Sequence, residues 1–291
     1  MDEMRRIPAG TPPLISRPFD FETFERCARR QPNDKSPGGD GQPREFGKYW
    51  PTAFLELHWR ASNAYMRGET PTVCPEEWAG AVAGYIPKNI SALLMTEFRP
   101  IACICTKFVY VLSINAQRLN HSIEDYKLID DAQEGFRRGR STKRQLGKLN
   151  SILAEQRRRR AALSVIIYLD IKNAFNAVNH RTVFHVLEAK GFPHEDLALF
   201  RRMYNGTFLV MENHFGRSAA IVLSRGAPQG AMPSPTVFIT AYDPFNAIIR
   251  YYGRGCTLQG KIDPTGADVF ADDSTLHTDG PDAVAAMDVL S

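Results

Sequence analysis

Two apolar segments that carry aspartates constrain the fold of this chain most strongly. LSVIIYLDI, residues 163–171, is rich in β-branched residues and reaches Asp170 at its end, and apolar residues at helical spacing follow it up to Gly191. VFADDSTL, residues 269–276, is apolar on both sides of an aspartate pair, which predicts a hairpin with Asp272 and Asp273 at its bend. If the two strands are neighbours in one sheet, all three carboxylates come together.

Clustered carboxylates at a strand edge predict a cation site. They raise one another's pKa unless a cation is present, so such a cluster normally holds one. Hard oxygen ligands with no His or Cys close by favour Mg²⁺, and pairs of such ions serve phosphoryl and nucleotidyl transfer. The alternative is structural, with Asp170 capping the next helix and Asp272 and Asp273 as ordinary turn residues. For each residue taken alone, the structural explanation is the simpler one.

The rest of the chain divides into a largely helical first half and a more mixed second half. Residues 1–19 show no period and predict a poorly ordered arm. Helical spacing predicts a helix that stops at Gly68, and AVAGYIPK predicts a buried strand that ends at Pro87. In the second half, Ser234 followed by Pro235 is typical of a helix start, with Ser234 as the N-cap. Asp243 followed by Pro244 repeats this signature, which predicts a break or kink in that helix.

Composition narrows the class of protein. The five cysteines are an odd number without CxxC spacing, which argues against a disulfide framework and against a zinc site. No apolar segment approaches the ~20 residues that a membrane span needs, and the N-terminus lacks the apolar run of a signal peptide. We therefore expect an intracellular protein, nuclear or cytoplasmic, without a membrane partner.

Seven segments, in order, resemble motifs of the reverse transcriptase domain of non-LTR retrotransposons. The resemblance runs from about residue 20 to residue 291, and seven short motifs in the correct order are far more specific than any one of them. The segments are KSPGGDG at 35–41, IPK at 86–88, FRPI at 98–101, QEGFRRGRST at 133–142, YLDIKNAFNAVNH at 168–180, GAPQGAMPSP at 226–235 and FADD at 270–273.

The resemblance implies an α+β, right-hand polymerase fold, with helical fingers and a palm built on an antiparallel sheet. Residues 20–160 would form the N-terminal and fingers region, and residues 161–291 the palm region. Because Ser291 follows FADDSTL closely, we expect one C-terminally truncated reverse transcriptase domain with the thumb missing, and no endonuclease or RNase H region.

The function implied by the resemblance is that of an RNA-directed DNA polymerase. Such an enzyme adds dNTPs to the 3′ end of a DNA primer along an RNA template, with two Mg²⁺ ions, or Mn²⁺ in their place. No protein partner is evident. In this family Asp170 and Asp272 would be the principal metal ligands, with Asp273 in support and the backbone carbonyl of Ile171 as a further oxygen.

The resemblance also implies residues that bind the incoming nucleotide. Phe175 matches the steric gate, an aromatic ring that leaves no room for a ribose 2′ hydroxyl; a helix core residue is the competing explanation. Lys88 and Arg99 match fingers residues that meet the triphosphate. Gln229 and Gly230 match a turn in which glycine lets the backbone approach the nucleotide or adopt the required φ.

A basic segment before a predicted helix is expected to face template phosphates, where the helix dipole also favours anions. Its cations are Arg137, Arg138, Arg140, Lys143 and Arg144. A solvated basic face is an equally good explanation for any one of them.

Two departures from the family pattern leave three interpretations open: the early end of the chain and two asparagines. Many relatives have Asp or Lys at the position of Asn173 and Asp at the position of Asn176, although this change leaves the metal site intact. The three interpretations are an active nucleotidyltransferase core, a truncated inactive remnant that keeps the fold and nucleic-acid affinity, and an RNA-directed RNA polymerase. Phe175 argues against the last, because an RNA polymerase must admit the 2′ hydroxyl.

Overall fold

The computed structural model describes a mixed α/β fold. The described residues are 5–69, 78–91, 93–94, 97–159, 164–213, 215–227, 230–252, 257–258, 261–262 and 267–279. Within these ranges, every helix is too short or too polar to cross a membrane.

Helices dominate the first half of the chain and alternate with strands in the second. The described helices are α1 (Phe21–Arg29), α2 (Thr52–Arg67), α3 (Thr106–Asp125), α4 (Thr142–Arg159), α5 (Ala174–Ala177), α6 (His180–Ala189), α7 (His194–Tyr204) and α8 (Ser234–Tyr252), with a 3-10 turn at Arg44–Lys48. The described strands are β1 (Gly80–Pro87), β2 (Phe98–Ile104), β3 (Ser164–Leu169), β4 (Phe208–Asn213), β5 (Gly216–Arg217), β6 (Ile221–Val222), β7 (Thr257–Leu258), β8 (Lys261–Ile262), β9 (Ala267–Phe270) and β10 (Asp273–Asp279).

The strands form sheets that are mostly antiparallel. The largest has the order β2-β1-β4-β5, with β6 also paired to β4, and the β1–β4 pair is parallel. A separate three-stranded sheet has the order β3-β10-β9, and β7 pairs with β8. The β9–β10 hairpin is closed by the pair Phe270 and Asp273, which leaves Ala271 and Asp272 as a two-residue loop. The predicted hairpin is confirmed with its bend one residue earlier than predicted, because Asp272 lies in the loop and Asp273 begins β10.

Several sequence predictions of local structure are confirmed. Helix α2 stops at Gly68, which has φ +71° in the left-handed region that glycine adopts without strain. Strand β1 ends at Pro87.

The sequence predicts a break or a kink at Asp243 and Pro244. The break is wrong, because α8 runs continuously through Pro244. The Asp243 carboxylate does not cap a new helix; it forms a buried ion pair with Lys190 at the end of α6.

The prediction of a poorly ordered arm is wrong for residues 5–19. Ile7, Ile15 and Phe19 are buried in the main core. The fully buried Asp196 of α7 accepts hydrogen bonds from three successive backbone N–H groups, those of Leu14 at 2.9 Å, Ile15 at 3.0 Å and Ser16 at 2.7 Å. A single carboxylate therefore fixes this segment against a helix that lies far away in the sequence.

Replacing Asp196 with Asn should release the segment. The amide offers one acceptor and brings an NH₂ group against N–H donors, so we expect a loss of about 1 to 3 kcal/mol in the free energy of unfolding. Hydrogen exchange should quicken first at Leu14, Ile15 and Ser16. Asp20→Asn is the matched control, because Asn caps a helix as well as Asp does. Unchanged exchange at these three amides in Asp196→Asn would contradict the anchoring role.

Candidate active site

The three predicted carboxylates lie at one edge of the three-stranded sheet. Strand β3 ends at Leu169, which pairs with Ser274 of β10, so one further step along the antiparallel register sets Asp170 opposite Asp273. Directly paired residues in such a ladder have Cα atoms about 4.5 to 5.5 Å apart. Asp272 occupies the loop beside them. Pairing of β3 with β10 therefore brings together residues that are far apart in the sequence.

The charges at this edge act on one another. Partial burial raises the pKa of Asp272 above its usual value of 3.8, and the negative charges of Asp273 and Asp170 raise it further. The backbone N–H of Asp272 and the positive charge of Arg99 act in the opposite direction. The carboxylates thus repel one another, and an added cation would relieve that repulsion.

The donor set at this edge fits a hard divalent cation. Asp170 and Asp272 supply carboxylate oxygens, and Mg²⁺ typically takes one or two carboxylates and completes its shell with water and substrate phosphates. In the part of the chain that the structure describes, no three His, Cys, Asp or Glu side chains are grouped closely enough to enclose a metal ion by themselves. The site therefore suits an ion whose remaining ligands come from outside the protein. Ile171, next to Asp170, packs against the main core.

The β1–β2 hairpin carries the two cations predicted to meet the triphosphate. Arg99 lies opposite Ile86 in the hairpin, and the backbone N–H of Lys88 donates to the carbonyl of Glu97 at 2.8 Å. Both side chains are exposed. The positive charge of Arg99 lowers the pKa of Asp272, so Arg99 lies close enough to act on this carboxylate. The positive charge of Lys88 contributes to a lowered pKa of Glu97, which is set mainly by the backbone N–H groups of Leu94 and Leu93.

Phe175 is half-buried in a cluster of aromatic rings. Its ring stacks on Phe238 of α8, with centroids 4.8 Å apart and an interplanar angle of 21°. The exposed Phe136 meets it edge-on at 6.0 Å. Its backbone carbonyl accepts from the N–H of Ala227 at 2.8 Å, which ties the exit from β3 to the turn before α8. The ring thus has a packed face and an accessible part.

Two glycines bring the turn before α8 against its neighbours. Gly226 has φ +96°, and its N–H donates to the carbonyl of Val178 at 2.7 Å. Gly230 has φ +106°, and a Cβ there would lie 2.5 Å from the carbonyl oxygen of Ala102 in β2. Glycine is therefore required at 230 for its conformation and for contact with the strand. Gln229 lies outside the described residues.

Arg137 does not take the template-facing position expected of it. Its side chain is only 3% exposed and forms a two-pronged ion pair with Glu124 at 2.8 and 3.0 Å. It also donates to the carbonyls of Asp130 and Gln133. A buried guanidinium needs such partners, and these bonds leave it facing the interior. The prediction that Arg137 faces the template is therefore wrong.

The remaining cations of the basic segment differ in their surroundings. Arg140 pairs with Asp131 at 2.9 Å and lies 3.7 Å from Glu134, while the more exposed Arg144 lies 3.1 Å from the same Glu134. Arg138 and Lys143 are exposed to solvent. Internal carboxylates thus offset part of the positive charge that the sequence displays.

Two polar residues have structural roles that the sequence did not reveal, the fully buried Gln133 and the half-buried Asp40. Gln133 is fully buried and its side-chain amide bonds the backbone of Ala271, directly before Asp272. The Asp40 carboxylate accepts from the N–H of Thr106 at 3.0 Å and fixes the KSPGGDG loop to the start of α3. Both residues lie inside motif segments, which was the available signal. Their partners lie too far along the chain for spacing to identify them.

The class of protein follows from this edge together with a family comparison. Three aspartates lie at one sheet edge, where the charge of Arg99 from a separate hairpin acts on Asp272. The family model described as "Reverse transcriptase (RNA-dependent DNA polymerase)" matches residues 86–290. The match covers well over half of the chain. The chain therefore belongs to the reverse transcriptase family.

The relatives are proteins of non-LTR retrotransposons. "Transposon TX1 uncharacterized 149 kDa protein" of Xenopus laevis is 25% identical over 263 residues, 90% of this chain and 20% of that protein. "Retrovirus-related Pol polyprotein from type-1 retrotransposable element R2" is 26% identical in Nasonia vitripennis, over 70% of this chain and 19% of the relative. The same-named protein of Popillia japonica is 25% identical over 90% of this chain and 35% of its own length. The chain thus spans 19 to 35% of these relatives.

Among solved structures, a truncated apo telomerase from Candida tropicalis resembles the fold distantly. It covers 73% of this chain and 46% of its own, with 9% sequence identity and a TM-score of 0.49. Family membership rests on the sequence comparisons.

The raised pKa of Asp272 predicts a pH-dependent stability in metal-free solution. Between the usual and the raised pKa the folded state binds more protons than the unfolded state, so stability falls as pH rises through that window. The Asn side chain of Asp272→Asn cannot ionise. The variant should therefore be as stable as the wild type at pH values below 3.8 and more stable than the wild type at neutral pH. Thermal unfolding across pH, with EDTA present, measures the difference.

Asp34→Asn, which removes an exposed loop carboxylate, is the control for a general charge effect. A neutral-pH stability of Asp272→Asn equal to or below that of the wild type would contradict the mutual repulsion.

Proposed function

We propose that the chain is the RNA-directed DNA polymerase core of a non-LTR retrotransposon, which transfers dNTPs to a primer 3′ end on an RNA template. The observation that carries this proposal is the shared sheet edge of Asp170, Asp272 and Asp273, with the charge of Arg99 acting on it. In this proposal the β3-β10-β9 sheet is the centre of the palm, and the β1–β2 hairpin with the preceding helices belongs to the fingers.

The carboxylates would hold two divalent cations, Mg²⁺ or Mn²⁺. Asp170 and Asp272 are the principal ligands, Asp273 supports them, and the carbonyl of Ile171 adds an oxygen. When bound, such ions activate the attacking 3′ oxygen and stabilise the leaving pyrophosphate. Asp272 must be ionised to serve as a ligand, so metal affinity should decline as acid protonates its raised-pKa carboxyl.

Residues around the edge would orient the nucleotide. Arg99 offers a planar guanidinium for a bidentate contact with phosphate, and Lys88 adds a point charge from the same hairpin. Phe175 would pack under the sugar with its accessible part. Gln229 and Gly230 would line the nucleotide, and Gly230 contacts β2 closely at Ala102.

The template would lie along the exposed cations of the basic segment, Arg138, Lys143 and Arg144. Arg140 stands at the margin of this set because its side chain is only 14% exposed and paired with Asp131. Contacts with phosphates position a template without reading its sequence.

Removing either principal ligand should abolish DNA synthesis. Asp170→Asn and Asp272→Asn each delete a charged oxygen ligand, and because bound metals contribute several kcal/mol to such transition states, the rate should fall by about two to four orders of magnitude. The measurement is primer extension on an RNA template by the whole chain, beside duplex binding by fluorescence anisotropy, which both variants should retain.

Asp273→Asn is the matched control, since a supporting carboxylate on the same hairpin should matter less. Undiminished synthesis by Asp170→Asn or Asp272→Asn would exclude the proposed metal site. A wild-type chain that binds the duplex with no synthesis would favour the alternative, a remnant that keeps the fold and nucleic-acid affinity.

Truncating Phe175 to Val should weaken sugar discrimination. A clash between a 2′ hydroxyl and the ring is worth a few kcal/mol, and each 1.36 kcal/mol is tenfold in rate, so the preference for dNTPs over rNTPs should drop by about one to three orders of magnitude. Incorporation rates for both sugars on one RNA template measure this ratio.

Loss of packing must be separated from loss of the gate, because Phe175 also stacks on Phe238. Phe184→Val is the matched control, as this half-buried ring packs against Tyr204 in α7. Both variants should lose stability, and only Phe175→Val should change the sugar ratio. An unchanged ratio with a lowered melting temperature would assign Phe175 to the core alone.

A further inference from the structure

The buried side chain of Gln133 forms hydrogen bonds with the loop that carries Asp272. Its amide donates from Nε2 to the carbonyl of Ala271 at 3.1 Å. Its Oε1 accepts from the N–H of Ala271 at 2.9 Å and from the N–H of Gly135 at 2.8 Å. One amide therefore holds both backbone groups of the residue before Asp272.

The backbone around Gln133 is built to bring this amide to the loop. The N–H of Glu134 donates to the carbonyl of Val269 at 2.8 Å, and the N–H of Val269 donates to the carbonyl of Ala132 at 3.0 Å, so this segment runs beside β9. A Cβ at Gly135 would lie 2.2 Å from the backbone nitrogen of Ala271. Only glycine permits so close an approach.

The loop needs an external anchor because its backbone is strained at Ala271. Ala271 has φ +60°, a left-handed conformation that costs energy for any residue with a Cβ and persists only where the surroundings impose it. In two-residue hairpin loops, glycine is preferred at a first position with positive φ.

The two bonds act on the peptide groups on either side of Ala271. The carbonyl of Ala271 belongs to the peptide that joins it to Asp272, and the N–H of Ala271 belongs to the preceding one. Fixing both planes fixes φ and ψ of Ala271 and therefore the path by which the backbone enters Asp272. We propose that Gln133 is a positioning residue that holds Asp272 in its metal-binding orientation, a role that rests on the proposed function of the carboxylates.

The test compares two buried glutamines by Mn²⁺ binding, measured as loss of the free-ion electron paramagnetic resonance signal. Gln133→Met keeps the length of the side chain and removes its hydrogen bonds, and it should weaken Mn²⁺ binding by roughly 10- to 100-fold, as loss of groups that orient metal ligands does. Gln31→Met is the matched control, because buried Gln31 bonds the carbonyl and Sγ of Cys27 in α1 and, among the described residues, has no hydrogen bond to the acidic loop. It should bind Mn²⁺ as the wild type does.

A second variant separates positioning from general packing. Ala271→Gly removes the strain of the left-handed conformation, so adding it to Gln133→Met should restore part of the lost affinity, while Ala271→Gly alone should change little. Amide exchange at Ala271, followed with ¹⁵N-alanine, should accelerate in Gln133→Met and stay slow in Gln31→Met. If Gln133→Met does not fold, the double variant against Ala271→Gly provides the same comparison.

The outcomes distinguish this role from the metal site itself. Asp272→Asn with wild-type Mn²⁺ affinity would overturn the site and with it the role of Gln133. Weak binding by Asp272→Asn together with wild-type binding by Gln133→Met would overturn only the positioning role. A double variant as weak as Gln133→Met would also overturn it, because the loss would then come from packing in the interior.

Discussion

Repulsion among Asp170, Asp272 and Asp273 is the constraint on which the surrounding structure depends. Partial burial and the negative charges of Asp273 and Asp170 raise the pKa of Asp272, so without a cation the fold holds the three carboxylates together against their charges. The β3–β10 ladder reaches the pair Leu169 and Ser274, which places the next residues, Asp170 and Asp273, side by side through the backbone. Asp272 lies in a two-residue loop beyond the ladder, and there the Gln133 amide supplies the bonds that the ladder does not.

Close backbone contacts link this edge to the rest of the chain. Gly135 meets the acidic loop, Gly230 meets β2, and Gly226 meets the exit from β3. Each contact excludes a Cβ or sets a positive φ, so the positions of the motif segments depend on one another. Ion pairs also occupy part of the positive charge. Glu124 pairs with Arg137 and Glu134 with Arg144, while the charge of Arg99 acts on Asp272.

Local patterns in the sequence predicted the elements of this site well, and long-range partners poorly. β-Branched runs identified β3, and the aspartate pair between apolar residues identified the acidic hairpin, because alternation and turn chemistry act over a few residues. The burial of Arg137 depends on its ion pair with Glu124 of α3, and the ordering of residues 5–19 depends on Asp196 of α7. Gln133 and Ala271 are 138 positions apart. Spacing carries no information about such pairs, so the cations of the basic segment looked alike in the sequence.

The most direct test of the central claim, that these carboxylates form a cation site, is anomalous scattering from crystals soaked in Mn²⁺. We expect a peak between the Asp170 and Asp272 carboxylates, on the side that faces Arg99, and no peak there in crystals of Asp170→Asn. Occupied Mn²⁺ sites elsewhere with none at this edge, or the same peak in Asp170→Asn, would contradict the account.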